Sequence, residues 1–202
     1  MCLDQHLTTR SNPPPFPYKA GLAEKVTLDR HVIRAAHIAA RITVAGDWLW
    51  MAVQREWQDD PKGMVKLVAY NTKEKTWGAV HYPLDAAPEG GWVGLSEITL
   101  QGDWVYIVER DNQIADKASI KKIYRIAASE MVPAELGGTL PVVTKELVRD
   151  LMPDLRALNG YVVDKVEGFA IDAAGAGFVV TDNDGVDDSS GETLFWSIGA
   201  VQ

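Results

Sequence analysis

The chain has 202 residues, of which 47% are hydrophobic, so it is long enough to bury a core in one domain or two. Its 20 lysines and arginines against 28 aspartates and glutamates give a formal charge of −8, which argues against non-specific binding to nucleic acid or anionic membranes. The single cysteine, Cys2, excludes an internal disulfide framework, and no run of 18 apolar residues encodes a membrane span.

The first 41 residues are patterned differently from the rest. NPPPFP, residues 12–17, predicts an extended polyproline II arm or linker. Residues 21–41 fit a helix with a loose apolar face, and they fit strands nearly as well because Val26, Val32 and Ile33 are β-branched. We therefore predict an atypical N-terminal arm or remnant over 1–41, Pro-rich and then helical or extended, followed by a second region over 42–202.

From Ile42 onward, short apolar runs alternate with Gly-Asp, Asn and Pro, which is typical of β-hairpins. AGDWLWMAVQRE (45–56) and QGDWVYIVERDN (101–112) share a Gly-Asp-Trp turn, and the turns lie 56 residues apart, from Gly46 to Gly102. Further strands are predicted over KLVAYNTKEKTWGAVHYPL (66–84), IKKIYRIA (120–127), KVEGFAIDAAGAGFVVTDND (165–184) and ETLFWSIG (192–199).

Repeated hairpins, each followed by one or two strands, indicate an all-β radial repeat. We predict a partial β-propeller of about three four-stranded antiparallel blades; a sandwich or an open meander are the alternatives. Propellers close with about four to eight blades, so three blades predict that the chain is a fragment, the C-terminal part, of a larger propeller. Its open strand edges would meet either the remaining blades or a second copy of the chain.

Several motifs together resemble the phytase-like family, which is described as having esterase-like activity. Three short motifs carry the resemblance: a Glu-Gly pair that opens a strand (Glu167), a Glu-Arg-Asp that closes another (109–111), and an Asp-Asn-Asp near the C-terminus (182–184). The order and spacing of the surrounding stretches also resemble the family; these stretches are GLSEITLQGDWVYIVERDN, KKIYRI, LVRDLMPDL and GETLFWSIG. The resemblance covers about residues 42–199. It departs at the first repeat, where Arg41 stands in the place of Glu97 and Glu167.

The resemblance implies a bacterial, secreted or periplasmic β-propeller that hydrolyses phosphoric esters, although the start of the chain shows no apolar signal segment. Its substrate would be a small phosphorylated or ester compound. The alternative is a non-catalytic propeller that binds a ligand or a protein on its acidic face, since propellers do both.

Hairpin geometry predicts where polar side chains gather, because the start of a first strand and the end of a second lie side by side. This places Glu97 with Glu109, Arg110 and Asp111 as catalytic candidates, and Arg110 and Arg55 as clamps for phosphate oxygens. The first repeat contributes Arg41, Gln54, Arg55 and Glu56 to these polar groups. The competing interpretation is that strand ends are acidic simply because they are solvated.

A metal site is predicted at the end of the last hairpin. Its residues are Glu167, Asp182, Asn183 and Asp184. Carboxylate and amide oxygens of this kind suit Ca²⁺, which takes six to eight oxygen ligands. Such an ion would neutralise and position a phosphate.

Overall fold

The computed structural model describes residues 42–159, 162, 165–183 and 193–201, and the fold is that of these residues. The predictions for residues 1–41 lie outside them. Within these ranges, one α-helix, α1 (Met152–Asn159), and two short 3-10 helices, Ala115–Lys117 and Ala128–Glu130, accompany twelve strands. The strands are β1 (Ile42–Ala45), β2 (Trp48–Ala52), β3 (Met64–Asn71), β4 (Trp77–Pro83), β5 (Val93–Gln101), β6 (Trp104–Asp111), β7 (Lys121–Ala127), β8 (Ala134–Glu135), β9 (Glu146–Asp150), β10 (Lys165–Ile171), β11 (Ala176–Asp182) and β12 (Phe195–Ala200).

The strands form three sheets. Sheet 1 has the order β1-β2-β3-β4-β8, sheet 2 the order β5-β6-β7-β9, and sheet 3 the order β10-β11-β12. Every strand pair named in them is antiparallel. The prediction of an all-β partial propeller of about three blades is confirmed, although the described sheets contain five, four and three strands rather than four each.

The hairpin turns lie where the Gly-Asp pairs predict them. Gly46 and Gly102 adopt φ values of 60° and 58°, a left-handed conformation that glycine adopts without strain. Ala45 then pairs with Trp48, and Gln101 pairs with Trp104, so both hairpins have two-residue turns. The shared turn sequence therefore encodes the same local structure in sheets 1 and 2.

Two apolar cores separate the sheets. Between sheets 1 and 2, Leu67 and Tyr82 pack in one cluster with Ile107 of β6. Between sheets 2 and 3, Val108 of β6 packs in another cluster with Phe169. Successive β6 side chains thus point to opposite faces of sheet 2, as the two-residue period of a strand requires.

The first strands of the three sheets lie next to one another and are joined by side-chain hydrogen bonds. Thr43 Oγ1 of β1 accepts a bond from the backbone N–H of Leu100, 3.1 Å away. Thr99 Oγ1 donates to the carbonyl oxygen of Phe169 in β10, 3.1 Å away. These bonds hold β1, β5 and β10 together at the inner edge, which is the arrangement of blades around an axis.

The outer edges of sheets 1 and 2 are linked by one stretch of chain, residues 134–150. It starts as β8 on the edge of β4, forms a parallel bridge between Val142 and His81, and ends as β9 on the edge of β7. Neither β8, β9 nor α1 was predicted from the sequence. No helix in the described ranges is long and apolar enough to cross a membrane.

Candidate functional site

One end of the sheets, called here the front face, gathers the polar groups. At this end β2, β4 and β6 finish and β3, β5 and β7 begin, because consecutive strands run antiparallel. The front face carries a cleft of about 540 Å³ between sheets 1 and 2. The front cleft is lined by Arg55, Glu56, Lys62, Gly63, Leu84, Asp85, Ala86, Ala87, Gly91, Trp92 and Val93.

A second cleft, of about 510 Å³, lies at the opposite end of sheet 1. Trp48 and Trp77 contribute to its lining, and Glu135 is the one ionisable residue among the described residues that line it. The front cleft instead combines two cations, Arg55 and Lys62, with two carboxylates. The front cleft is therefore the better candidate for chemistry on a charged substrate.

Trp92 orients the arginines of the front face. The Arg55 guanidinium carbon lies 4.6 Å from the centroid of the Trp92 ring, and that of Arg110 lies 5.4 Å from it. Such cation–π contacts hold a guanidinium while leaving hydrogen-bond donors available to a ligand. Arg55, predicted as a phosphate clamp, is thus in the cleft wall; Arg110 is only 2% exposed and lies behind Trp92.

Asp85 belongs both to the cleft and to a partly buried group of charged and phenolic side chains beneath it. This Asp85 network consists of Tyr82, Asp85, Glu109, Lys122, Tyr124 and Lys145. Lys145 Nζ lies 2.7 Å from Asp85 Oδ1 and 2.7 Å from Glu109 Oε2. Asp85 Oδ2 accepts bonds from Lys122 Nζ and the Tyr124 hydroxyl, each at 2.7 Å.

Glu109 forms the base of the network and its side chain is fully buried. Its Oε2 accepts a bond from the Tyr82 hydroxyl at 2.7 Å, and its Oε1 accepts the backbone N–H of Asp85 at 2.7 Å. Together with Lys145, three donors converge on one carboxylate. Glu109 therefore fixes the backbone of Asp85 and shares a lysine with its side chain.

The network shifts the pKa values of its two acids in opposite directions. Burial would raise the pKa of Asp85, but hydrogen bonds from Lys122, Lys145 and Tyr124 outweigh it and lower the pKa to about 2. For Glu109, burial dominates over the bonds from Lys145, the Asp85 N–H and Tyr82, so its pKa is raised. Asp85 is thus a fixed anion at the cleft wall.

The phenols respond to the same charges. Burial, followed by the charge of Glu109, raises the pKa of Tyr82 well above its ordinary value. Burial and the hydrogen bond to Asp85 raise the pKa of Tyr124. Both phenols therefore stay protonated at neutral pH and act as donors to the carboxylates.

The catalytic candidates of the second hairpin do not meet at one point. Glu109 faces sheet 1 and the Asp85 network, whereas the Arg110 Nη2 atom faces sheet 3 and lies 2.6 Å from Glu167 Oε1. Asp111 Oδ1 is 2.8 Å from Lys121 Nζ, and Oδ2 accepts the backbone N–H groups of Ser119 and Ile120. Strand alternation turns Arg110 to the face opposite Glu109, and contacts with the loop between β6 and β7 engage Asp111.

Asp111 holds the loop between β6 and β7. Burial raises its pKa, but the bonds from Lys121, Ser119 and Ile120 prevail, so the pKa is lowered overall. The Lys121 ammonium also donates to the backbone oxygens of Asp111, at 2.8 Å, and Gln113, at 3.0 Å. These contacts stabilise the loop and leave Asp111 turned away from the cleft.

Glu97 lies within β5 rather than at its start. It pairs with Val108, and its Oε1 accepts the neighbouring N–H of Ile98 at 2.9 Å. The bulge of β5 falls at Ser96, and that of β10 falls at Glu167. Glu97 and Gly168 each follow a bulge and are therefore structural counterparts. The aligned sequences instead pair Glu97 with Glu167, which differs by one residue.

Of the residues predicted to bind a metal, Glu167, Asp182 and Asn183 are described, and they lie at the front end of sheet 3. Lys165 pairs with Asp182, so the hairpin brings its first and last residues together, and Glu167 lies in the bulge opposite Thr181 and Val180. Glu167 contacts Arg110 across the gap to sheet 2, and Asn183 follows β11. Asp184 lies outside the described residues. Within the described ranges, no group of three or more His, Cys, Asp or Glu side chains could hold a metal ion.

Four residues of the Asp85 network were not predicted from the sequence: Asp85, Lys122, Tyr124 and Lys145. Lys122 and Tyr124 are two residues apart on β7 and so share a face, which is a weak signal in KKIYR. Asp85 and Lys145 are separated by 60 residues and meet only because residues 141–145 run beside the end of β4. That contact is a consequence of tertiary structure and has no local sequence signal.

Comparison with known proteins gives one match. The model of the phytase-like family, described as esterase-like activity of phytase, matches residues 40–185, more than half of the chain. Neither a curated protein nor a solved structure matches. The matched range contains the whole front cleft and the whole Asp85 network.

Proposed function

Because the chain belongs to the phytase-like family, we propose that it hydrolyses phosphoric esters in the front cleft. The observation that carries the proposal is the placement of Asp85, whose carboxylate is held ionised at a cleft wall that also presents Arg55 and Lys62. A phosphoric ester needs cations for its oxygens and an oriented nucleophile, and the cleft provides residues for both.

The two cations bind the phosphate. Arg55, held against Trp92, donates two parallel hydrogen bonds to phosphate oxygens, and Lys62, which also lines the cleft, adds a positive charge. The substrate is therefore a small ester with a dianionic phosphate that enters between sheets 1 and 2.

Asp85 orients the attacking water. With a pKa of about 2 it is a weak base, but it accepts a hydrogen bond at every physiological pH. The water oxygen bonds to phosphorus as the ester P–O bond breaks, and the proton that the water loses passes to the departing alcohol oxygen. Phosphoryl transfer depends mainly on positioning and on charge stabilisation, so Asp85 contributes by holding the water and not by accepting its proton. Glu109 and Lys145 act through Asp85 and do not touch the substrate.

Calcium stays a prediction. The fit of the described residues is poor, because Glu167 is engaged by Arg110 and no acidic cluster of three forms within the described ranges. None of the roles given to Arg55, Lys62 and Asp85 depends on the metal. A secreted or periplasmic location and a bacterial source likewise stay predictions of the family resemblance.

The test is hydrolysis of p-nitrophenyl phosphate by the parent and by Arg55→Gln and Asp85→Asn, with p-nitrophenyl acetate as a carboxylic ester. We expect kcat/KM for the phosphate to fall by about 100-fold in each variant, the usual effect of losing a positioned charged group. Arg125→Gln is the matched control, since Arg125 also lies on a tryptophan, 4.0 Å from the Trp104 ring, but outside the cleft.

The outcome also separates the two functions. Turnover that survives Asp85→Asn, or a parent that binds phosphate without turning the ester over, would contradict catalysis in this cleft. The second result would instead support the non-catalytic binding propeller. Equal losses in the Arg125 control would show that the variants act through stability.

A further inference from the structure

The last strand, β12, is an uncharged edge. Among the described residues it pairs only with β11, and its six residues, FWSIGA, contain no charged side chain and no proline. The edge strand of sheet 2 is different, because β9 (ELVRD) carries three charges in five residues. Edge strands that avoid association carry charges or prolines, so β12 lacks the usual protection.

An exposed aromatic surface accompanies this edge. Phe195 is 71% exposed, more than any other large apolar side chain in the described residues. Its ring stacks on that of Phe178 in β11, with centroids 5.7 Å apart and planes 6° apart. Phe178 and Phe195 lie on the face of sheet 3 opposite to the core, since Val179 and Trp196 point toward sheet 2.

The corresponding outer face of sheet 1 is mostly covered. Val68 and Ala79 are buried there in a cluster with Trp57 and Leu140. Lys66, 3% exposed on the same sheet, pairs with Asp60 beneath Trp57. Much of that face is therefore covered, although the Tyr70–Trp77 ring pair on it is only partly buried. The choice of a self-complementary contact accordingly rests on the edge of β12 and the exposed Phe195, not on the other sheets.

We propose that β12 forms an isologous dimer with β12 of a second copy of this chain. The backbone of Leu194 faces β11, because its oxygen accepts from Thr181 N at 3.0 Å and its N–H donates to Thr181 Oγ1 at 2.8 Å. The backbone groups of Phe195 and Ser197 therefore face the open edge. The bulge between Ser197 and Gly199 ends the regular edge, so pairing is confined to this segment.

The register of the proposed β12–β12 pairing follows from the outward-facing backbone groups of Phe195 and Ser197. Phe195 of each copy pairs with Ser197 of the other around a two-fold axis at Trp196, which forms four backbone hydrogen bonds. The two Phe195 rings then lie on a diagonal of about 7–8 Å, within reach of each other. The stacked pair becomes a row of four phenylalanine rings across the dimer.

The antiparallel orientation is also favoured by charge. The residues that precede β12 include Asp184, Asp187, Asp188 and Glu192. Antiparallel pairing places the two copies of this acidic stretch at opposite ends of the paired strands, whereas parallel pairing would place them side by side. The strand itself contributes no like charges to the contact.

Sedimentation velocity of the full chain over a micromolar concentration range tests the proposal. We expect reversible dimerisation that Phe195→Lys weakens by at least about tenfold in Kd, because it places charge in the aromatic row. Val132→Lys is the matched control, since Val132 is 64% exposed, and it should leave the dimer unchanged. A monomer at all concentrations, or a dimer insensitive to Phe195→Lys, overturns the proposal.

Cysteine pairing tests the register, and the Ser197→Cys chain alone is the stricter comparison because it keeps both Phe195 rings. In a Cys2→Ser background, a mixture of Phe195→Cys and Ser197→Cys chains should form a mixed disulfide, because hydrogen-bonded pairs lie about 5.5 Å apart between Cα atoms. Either chain alone should crosslink at least about tenfold more slowly, since its cysteines lie on the longer diagonal. Equal rates in all three samples contradict the register.

Discussion

Asp85 and Glu109 show how neighbouring residues determine the pKa of a carboxyl group. Its carboxylate is 22% exposed, yet three donors from β7 and residue 145 contact its two oxygens. Glu109, one lysine away, is fully buried and has a raised pKa. The same pair of acids on an isolated strand would titrate together, so the difference arises from tertiary contacts.

Asp85 should stabilise the protein in a pH-dependent way. Its folded pKa of about 2 is below the ordinary value of about 3.9, so its contribution is present above about pH 4 and is lost as the pH falls from 4 towards 2. We expect the Tm of Asp85→Asn to lie below that of the parent at pH 6 and to approach it below pH 4. Asp116→Asn, at an exposed acid, is the control; a pH-independent difference for Asp85→Asn would contradict the assignment.

Among the elements, β5 shows how closely sheets 1 and 2 approach at the cleft. The backbone N–H of Leu95 donates to the carbonyl oxygen of Gln54 at 3.0 Å. A Cβ on the preceding residue, Gly94, would collide with that oxygen and would come within 3.0 Å of the Trp92 ring. Glycine is thus required where β5 passes the end of β2.

Gly94→Ala should therefore destabilise the protein and disturb the cleft. We expect a loss of about 1–3 kcal/mol in the free energy of unfolding, measured by urea denaturation, as for other overpacked sites. The variant should also lose ester turnover, because Gln54 and Trp92 flank Arg55. Gly138→Ala, where the nearest atom is 3.3 Å from the new Cβ, should cost less. Equal costs would mean that the close approach at Gly94 is not limiting.

The hairpins could be predicted from the sequence because their signals are local. Gly46-Asp47 and Gly102-Asp103 specify tight turns, and alternating apolar residues specify the strands on either side. In contrast, β9 reads ELVRD and has little apolar alternation, since it forms an edge. Bulges at Ser96 and Glu167 shift side chains by one position, so a register inferred from aligned turns misplaces Glu97.

For the whole molecule, an excess of acids raises the question of cation binding. If Asp182 and its neighbours bind Ca²⁺, the ion stabilises the folded chain by about 2.7 kcal/mol at a free concentration one hundred times its Kd. Asp182→Asn should weaken this response and leave the metal-free protein at least as stable. The measurement is a thermal melt across a calcium titration at fixed ionic strength.

Asp116→Asn is again a suitable control, because it removes the same charge from an exposed position elsewhere. A parent whose Tm does not change with calcium would show that the acidic end of sheet 3 is a solvated edge. A response of equal size in both variants would indicate general charge screening rather than a site.

The stretch over residues 134–150 has a consequence for how the chain unfolds. It supplies the outermost strand of sheet 1 and then that of sheet 2, and Lys145 between them bonds to Asp85 and Glu109. Unfolding of the outer strand of either sheet would also disrupt the outer strand of the other, because one stretch of chain forms both. Sheets 1 and 2 therefore unfold as one cooperative unit. Among the described residues, sheet 3 does not share an outer stretch of chain with another sheet. Sheet 3 can therefore unfold locally while sheets 1 and 2 stay folded.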